Sequence, residues 1–274
     1  MNKVQKIYNK IIQHPLRSAF TVLILVTIIV LGLSLPLYIK QFDEMYLNVL
    51  AEAHGMIFDI LVIGILLFWL REQGDKKQRI SQYKDEIDDF RMWESEEAAF
   101  RNAGNIKRLN REGVTKIDLV GTYLTKTNLS NVKLAEANLN TANISNTILL
   151  EANLQEARLN QTNFENANIN QANLSKTFAS GANFKDAFLI KANFEGAFLI
   201  KTNFSNAYLM EANLRDSSLT EANFKDANLY KADLRGADGI NLEQLSKAKS
   251  LYLAKFDPEI QAILEKEVPD LIGS

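Results

Sequence analysis

The pattern of apolar and polar positions changes twice along the chain. An apolar stretch, residues 18 to 70, is followed by a highly charged stretch that ends near residue 112. From there a five-residue cycle of a small, a polar and a large apolar residue, such as Ala-Asn-Leu, runs to residue 236. The three patterns predict three different elements.

The apolar stretch predicts two membrane helices. Residues 18 to 39 are 22 consecutive uncharged residues, and a helix of that length is about 33 Å long, enough to cross a bilayer core of about 30 Å. The second run, residues 56 to 70, reaches spanning length only when it is extended back to about Leu50. We predict a transmembrane hairpin over residues 18 to 70. A cleaved signal peptide for the first run and a re-entrant or interfacial helix for the second remain alternatives.

Charge on either side of the two runs predicts their orientation. Basic residues precede the first run and follow the second, whereas the turn between them is acidic. The flanking basic residues are Lys3, Lys6, Lys10, Arg17, Arg71, Lys76, Lys77 and Arg79, and the turn has Lys40 against Asp43, Glu44 and Glu52. Basic loops stay in the cytoplasm. We therefore expect a multi-pass protein of the bacterial inner membrane, with the basic N-terminus (1–17), the C-terminus and everything after residue 70 in the cytoplasm.

Asp59 is the ionisable residue in the middle of the second run. A carboxylate at membrane depth is costly unless it is paired, neutral or facing water. One interpretation places Asp59 in a helix–helix interface or a pore lining, and the other lets it reach the outer headgroups. The sequence leaves both open.

The charged connector, residues 71 to 112, predicts a stalk helix. Ile80, Tyr83, Ile87 and Phe90 recur at spacings of three and four and form a single apolar stripe. A coiled-coil seam is the alternative, but the stripe covers only two heptads. The stalk would join the hairpin to the repeat, with Gly113 at a turn.

A period of five fits neither a straight helix nor a straight strand. It fits a short extended piece followed by a corner, in which the small residue and the large residue two positions later both point inward. The residue between them, here called the slot, points outward. From Ile117 to Gly236 there are 24 such cycles, and every large residue is Leu, Ile or Phe except Ala179.

A longer period gives the number of sides. Phe164, Phe184, Phe204 and Phe224 are 20 residues apart, and so are two series of slots that hold asparagine. Twenty residues are four cycles, so each coil has four sides. Like residues then stack about 4.8 Å apart, where side-chain amides can bond along the axis. The asparagine series are Asn143, Asn163, Asn183, Asn203 and Asn223, and Asn153, Asn173, Asn193 and Asn213, closed by Asp233.

The cycles "EANLQEARLN", "QANLSKT" and "KADLRGAD" resemble those of the pentapeptide-repeat family. The resemblance implies a right-handed quadrilateral β-helix, a β-solenoid, over residues 113 to 238. The period changes at Gly239, and residues 239 to 274 predict a helical cap over the open end, with a helix start at Asp257-Pro258. Leu253, Phe256, Ile260, Ile263 and Leu264 are expected to cover that end.

The composition excludes several classes of function. The chain has no cysteine, two histidines and a formal charge of −2, and we find no catalytic, cofactor-binding or metal-ligating motif. We therefore predict a protein that is not an enzyme. Some pentapeptide-repeat proteins resemble DNA and protect type II topoisomerases. That role needs an acidic rod, whereas residues 117 to 236 hold 11 basic and 12 acidic residues, so we predict no nucleic-acid function.

Several cycles place large apolar residues in outward positions. These residues are Ile148, Leu150, Phe178, Phe188, Ile190, Phe198, Ile200, Tyr208, Met210 and Tyr230. Residues 20 apart share a side, so the set falls on two opposite sides of the rod. Exposed apolar patches mark contact surfaces. We predict association with further copies, without closure because both sides are apolar, or with a protein partner. Shielding by the stalk helix and scattered exposure without a role are the alternatives.

Two functional hypotheses follow. In the first, the rod is a sensing or assembly module that controls the hairpin, and Asp59 gathered in a ring lets ions or water through. This layout resembles membrane-disrupting effectors of bacterial antiphage defence. In the second, the hairpin is an anchor and the rod is a passive scaffold for a protein partner. Neither hypothesis involves a cofactor.

Overall fold

The computed structural model describes residues 15 to 38 and 44 to 273, with side chains for residues 21, 23 to 33 and 48 to 273. The chain divides into two compact units, Met1–Arg79 and Ile80–Ser274. Five of the twelve charged residues used to predict orientation, Lys3, Lys6, Lys10, Lys40 and Asp43, lie outside the described residues.

The first unit contains two helices. Helix α1 is Pro15–Tyr38, and helix α2 is Glu44–Asp89, so the second apolar run and the first half of the connector form one continuous helix. Among the described residues, Asn48–Asp89 is the one helix long and apolar enough to cross a membrane, and Leu23–Leu33 is a shorter apolar helix. Two membrane crossings therefore remain a prediction.

In the second unit, helix α3 (Glu96–Arg111) closes the N-terminal end of the repeat. Ser95 starts it, because its hydroxyl oxygen accepts from the Ala98 amide at 3.1 Å. Ile106 and Leu109 are fully buried in the repeat core. The connector is thus a long helix, a break at residues 90 to 95 and a capping helix, where a single stalk helix was expected.

The repeat is a four-sided solenoid held together by backbone pairing. Parallel bridges join residues 20 apart on every side, from Asp118 with Asn138 to Ser218 with Asp238. Each bridge has hydrogen bonds on both sides, such as Leu119 N to Asn138 O at 2.7 Å and Asn138 N to Ile117 O at 2.9 Å. Within the described repeat these are isolated bridges, too short to count as strands. The predicted 20-residue coil is present in the backbone.

Every corner needs a left-handed residue. The second residue after each large apolar residue has a φ near +57°, as at Glu136 (φ 59°) and Lys191 (φ 58°), and glycine fills only a few of these positions. The amide that follows usually bonds back across the corner, as from Ala137 to the Leu134 carbonyl at 3.1 Å. Positive φ at the third residue of such a turn is typical of type II turns.

The core is filled by the inward residues of each cycle. Phe184 stacks on Phe164 at 4.7 Å and on Phe204 at 5.3 Å between ring centroids, and Phe194 meets it edge-on at 5.6 Å. Threonine is tolerated at inward positions because its hydroxyl donates to a buried carbonyl. For example, Thr162 Oγ1 donates to Leu139 O at 2.7 Å.

The solenoid continues past Gly239 with a longer coil. Asn228 pairs with Ser250 and Asp233 with Lys255, 22 residues apart, because the short helix α4 (Leu242–Leu245) is inserted between them. The repeat pattern ends at Gly239, as predicted, but the backbone pairing does not.

Helices α5 (Pro258–Glu267) and α6 (Pro269–Ile272) form the C-terminal cap. Leu264 is fully buried and Phe256 nearly so. Leu253 and Ile263 were expected to cover the end, but they are 48% and 44% exposed, so this part of the prediction is wrong. The Asp257 side chain accepts from Gly236 N at 3.0 Å and makes no cap hydrogen bond to α5. It therefore stabilises a solenoid corner.

The phenylalanine stack gives a stability prediction. Phe184→Ala should lower the free energy of unfolding by about 3 to 5 kcal/mol, because the site is enclosed by rings above, below and beside it. Phe184→Leu should cost less than about 1.5 kcal/mol. The measurement is thermal and denaturant unfolding of the detergent-solubilised protein, followed by circular dichroism. Equal midpoints for the two variants would contradict tight packing at this site.

Candidate interaction surface

The slots form one column of outward side chains on each of the four sides of the solenoid. We name two sides the Phe178 face and the Phe188 face, and they lie opposite each other. The other two are the asparagine faces. The slots of the Phe178 face are Asp118, Asn138, Arg158, Phe178, Phe198 and Ser218, and those of the Phe188 face are Asn128, Ile148, Asn168, Phe188, Tyr208 and Asn228.

On the Phe188 face, aromatic side chains stack along the rod. The rings of Phe188 and Tyr208 lie parallel, 4.9 Å apart, at the spacing that the coils impose. Both are exposed, at 42% and 41%, and Ile148 on the same column is 41% exposed. Large apolar or aromatic side chains therefore fill three of the six slots of this column, and these three are open to a neighbour.

The Phe178 face has its own stack, with ring centroids of Phe178 and Phe198 5.1 Å apart. These rings are 44% and 45% exposed. They lie in a groove of about 860 Å³ that the C-terminal part of α2 closes at one end. The charged side chains that line this groove are Lys84, Asp88, Lys116, Asp118, Glu136, Glu156, Arg158 and Lys176, and Ile87 lies among them. The Phe178 rings are thus as exposed as those of the Phe188 face, but they share their groove with many charged side chains.

The asparagine faces show why the aromatic slots are exceptional. Asn183 donates to Asn163 Oδ1 and Asn203 donates to Asn183 Oδ1, both at 3.0 Å. Each asparagine oxygen also accepts an amide of its own corner, as Asn203 Oδ1 does from Ser205 N at 3.1 Å. The predicted amide ladders are present. A ring in such a slot gives up both interactions, so these positions offer apolar surface where the local backbone would be better satisfied by asparagine.

The remaining predicted apolar residues lie two positions after a slot, at the start of the corner that follows it. Leu150, Ile190, Met210 and Tyr230 form the column beside the Phe188 face slots, and Ile200 lies beside Phe198; all are half-buried. Tyr230 stacks on Tyr252 of the extra coil at 5.8 Å. The structure therefore places all ten predicted residues on two opposite faces. Their role in association is taken up below.

The Phe188 face is bordered by two rims of left-handed corner residues. One rim consists of Asn146, Asn166, Asp186, Asn206 and Asp226, and the other of Glu151, Gln171, Lys191, Glu211 and Lys231. Lys191 is 3.6 Å from Glu211 in the next coil, and the Lys231 ammonium lies 5.0 Å from the centre of the Tyr230 ring. From the Ile148 coil onward the first rim is neutral or acidic, whereas the second rim holds Lys191 and Lys231 together with Glu151 and Glu211.

Asp186 has a cationic neighbour of its own. Lys185 Nζ lies 3.5 Å from the Asp186 carboxylate and 3.0 Å from Glu165. The hydrogen bond from Lys185 to Glu165, with the nearby carboxylates, raises the pKa of Lys185. All three side chains are partly exposed, so these contacts leave Asp186 accessible to a further cation.

The apolar stripe of α2 packs against the core at the N-terminal end of the repeat. Ile87 is 1% exposed, and Ile80 and Tyr83 pack against the core. Phe90 stacks on Trp93 at 5.2 Å, beneath the Arg101 guanidinium. The stripe leaves the outward rings of both faces more than 40% exposed, so the geometry disfavours the shielding alternative.

An exposed apolar group at the break between α2 and α3 was not predicted from the sequence. Met92 and Trp93 are 73% and 56% exposed, and Phe100 on α3 is 65% exposed. No periodic signal marks them, because Met92 and Trp93 lie outside both helices. Their positions in "RMWESEEAAF" are the sole cue.

Asp59 lies in the first unit, on α2. Helices α1 and α2 enclose a small apolar cavity of about 200 Å³, and Asp59 is not among its lining residues. At about 100° per residue, Asp59 points away from the side that holds Ala53, Ile57 and Ile60. Its side chain is exposed. The α1–α2 contact of a single chain therefore does not include it.

Comparison with known proteins identifies the repeat. The family described as Pentapeptide repeats matches eight copies in this chain, over residues 115–149, 147–186, 187–224 and 207–238. Residues 115 to 238 belong to the pentapeptide-repeat family. None of the curated proteins compared with the chain matches it.

Several solved structures are similar to the pentapeptide-repeat domain. The protein alr5209 from Nostoc PCC 7120 is 26% identical, with a TM-score of 0.33 over 38% of this chain and 84% of its own. HetL, from Nostoc sp. strain PCC 7120 and involved in heterocyst differentiation regulation, is 23% identical, with a TM-score of 0.20 over 56% and 93%. QnrB1, a plasmid-mediated fluoroquinolone resistance protein, is 15% identical, with a TM-score of 0.28 over 55% and 88%.

The outward rings should contribute little to stability. Replacing both Phe188 and Tyr208 by asparagine, the residue that other slots hold, should change the free energy of unfolding by less than about 1.5 kcal/mol, because a stacked pair is worth about 0.5 to 1.5 kcal/mol. The measurement is the free energy of unfolding of the double variant, compared with that of Phe184→Ala under the same conditions. A loss as large as that of the core variant would show that the rings support the fold.

Proposed function

We propose that this chain is a membrane-anchored assembly protein whose pentapeptide-repeat rod associates through its outward aromatic faces and thereby controls the membrane hairpin. The observation that carries the proposal is the pair of exposed, stacked rings on the Phe188 face, Phe188 and Tyr208. Exposed apolar surface of this kind is costly in a monomer and is removed from water by association.

The membrane segment supports the same proposal. Apolar side chains of α2 such as Phe58, Ile65 and Leu67 are 67%, 67% and 60% exposed, as expected for a helix that meets lipid. We propose insertion as a two-helix hairpin in the bacterial inner membrane, with both termini and the rod in the cytoplasm. Anchoring confines copies to a surface, which raises their effective concentration and strengthens a weak contact.

Clustering gives Asp59 a role. Since Asp59 faces away from α1, association of hairpins would bring Asp59 of several copies together and offer water or ions a polar path. Membrane disruption of this kind is what the layout shared with antiphage effectors implies. The passive scaffold, in which the rod holds a different protein and the hairpin only anchors, is the second candidate function.

Association is tested by the oligomeric state of the detergent-solubilised full chain. Phe188→Asp with Tyr208→Asp should shift it toward monomer by at least about tenfold in dissociation constant, because carboxylates replace the apolar contact. The matched control is Gln155→Asp with Ser175→Asp, which adds the same two charges to adjacent coils of an asparagine face. Analytical ultracentrifugation measures the shift. A wild-type chain that stays monomeric at all concentrations would reject the proposal.

Control of the membrane is tested in cells. Overexpression of the wild type should depolarise the membrane, and Asp59→Asn should relieve this while leaving protein level and oligomeric state unchanged, because it removes one charge without altering size. Glu52→Gln is the control for loss of an acid from the same helix. A voltage-sensitive dye gives the measurement. Normal potential and growth with the wild type would favour the scaffold.

A further inference from the structure

The two apolar faces differ in the charges along their rims, and this difference identifies one of them as a surface for a second copy. The inference rests on the proposed association and names its partner and geometry. We propose that the Phe188 face forms a homodimer of parallel rods, related by a two-fold axis that runs parallel to the rods through the contact.

The symmetry decides which residues meet. A two-fold axis parallel to the rod places each coil opposite the same coil of the second copy and exchanges the two rims of the face. Phe188 and Tyr208 then contact the apolar surface of their own counterparts, and Asn168 meets the polar Asn168 coil. Apolar coils therefore face apolar coils, and polar coils face polar coils.

The exchanged rims are complementary. Asp186 of one copy lies opposite Lys191 of the other, and Asp226 lies opposite Lys231. Each pair occurs twice, so the contact gains four opposite-charge pairs. The remaining rim pairs each contain a neutral residue, Asn146 with Glu151, Asn166 with Gln171 and Asn206 with Glu211. No like charges meet, which favours this partner and this register.

The Phe178 face does not have this property. In the equivalent arrangement its rims place Asp216 opposite Glu221 and give no opposite-charge pair. The rings also lie in the groove that Lys84, Ile87 and Asp88 close at one end. Two rods that associated through the Phe178 face would therefore gain less from opposite-charge pairs than two rods that associated through the Phe188 face.

Contact between the two different faces would produce open chains of rods. With the aromatic coils aligned, that contact brings three like-charged pairs together, Lys176 with Lys191, Glu136 with Glu151 and Glu221 with Asp226, against the single opposite pair of Asp216 with Lys231. A shift by one coil replaces these like-charged pairs with opposite-charge pairs, such as Glu156 with Lys191, Lys176 with Glu211 and Lys201 with Asp226. It separates Phe198 from its aromatic partner, however, and carries the Ile148 coil of the second copy to the α2 end of the groove.

A charge swap tests the pairing. Asp186→Lys should weaken dimerisation of the full-length chain at least about tenfold at low salt, because it turns two attractive pairs into repulsive ones. Adding Lys191→Asp should restore it, because the swapped rims are again complementary. Both residues already occupy left-handed corners that hold Lys, Asp, Glu and Asn elsewhere, so the swap should leave the fold intact. Circular dichroism checks this.

Cross-linking tests the parallel geometry. Because the chain has no native cysteine, only the introduced cysteine can react. Asn168→Cys alone should be joined to itself by a short bismaleimide in the wild-type background. In an antiparallel dimer centred between Phe188 and Tyr208, residue 168 would instead lie opposite residue 228. Cross-linking that requires a mixture of Asn168→Cys and Asn228→Cys chains would overturn the parallel arrangement.

The outcomes separate this inference from the proposed function. If Phe188→Asp with Tyr208→Asp breaks the oligomer but Asp186→Lys does not, association stands and the parallel dimer is rejected. If oligomers larger than dimers form and are lost with Phe178→Asp plus Phe198→Asp, the contact joins different faces and the dimer is likewise rejected. A monomeric wild type rejects both.

Discussion

Backbone hydrogen bonds on either side of each bridge, which pairs residues 20 positions apart, hold the coils together, and every other feature of the rod follows from them. They fix the coil at four sides, and they force a left-handed residue at each corner, as at Lys191 with a φ of 58°. They also stack like side chains at the spacing of paired strands. Residues of one type in the slots of successive coils therefore form a ladder along the axis, whether of amides or of rings.

Because the coils are stacked in register, a few substitutions at equivalent slots are enough to create a continuous surface. One ring in a slot would be an isolated exposed residue, which is common in proteins. Rings in consecutive coils, such as Phe188 and Tyr208 at 4.9 Å, become a continuous apolar face. The same rule makes rims of charge at the corners, so that apolar contact and charge pattern are set in the same register. Specificity for a second copy can thus arise without any loop or pocket.

The ends of the rod follow different rules, because the last coils have unpaired edges that must be covered. Much of the buried side of α3 consists of small or polar residues such as Ala98, Ala103, Asn102 and Asn105. Few residues of this helix are both large and apolar, so the connector was expected to continue as a stalk. At the other end, insertion of α4 lengthens a coil to 22 residues without interrupting the pairing, and a strict period of five cannot reveal this.

The sequence by itself determined the repeat, the four sides and the columns on which Phe178, Phe188 and the asparagines lie, because a local five-residue pattern specifies direction as well as identity. Only the tertiary structure decided how the ends are capped, that Asp257 stabilises a corner at Gly236, and that Leu253 and Ile263 stay exposed. It also showed that the Phe178 rings share a groove with charged residues of α2 such as Lys84 and Asp88. These features depend on contacts between segments distant along the chain, which no local periodicity encodes.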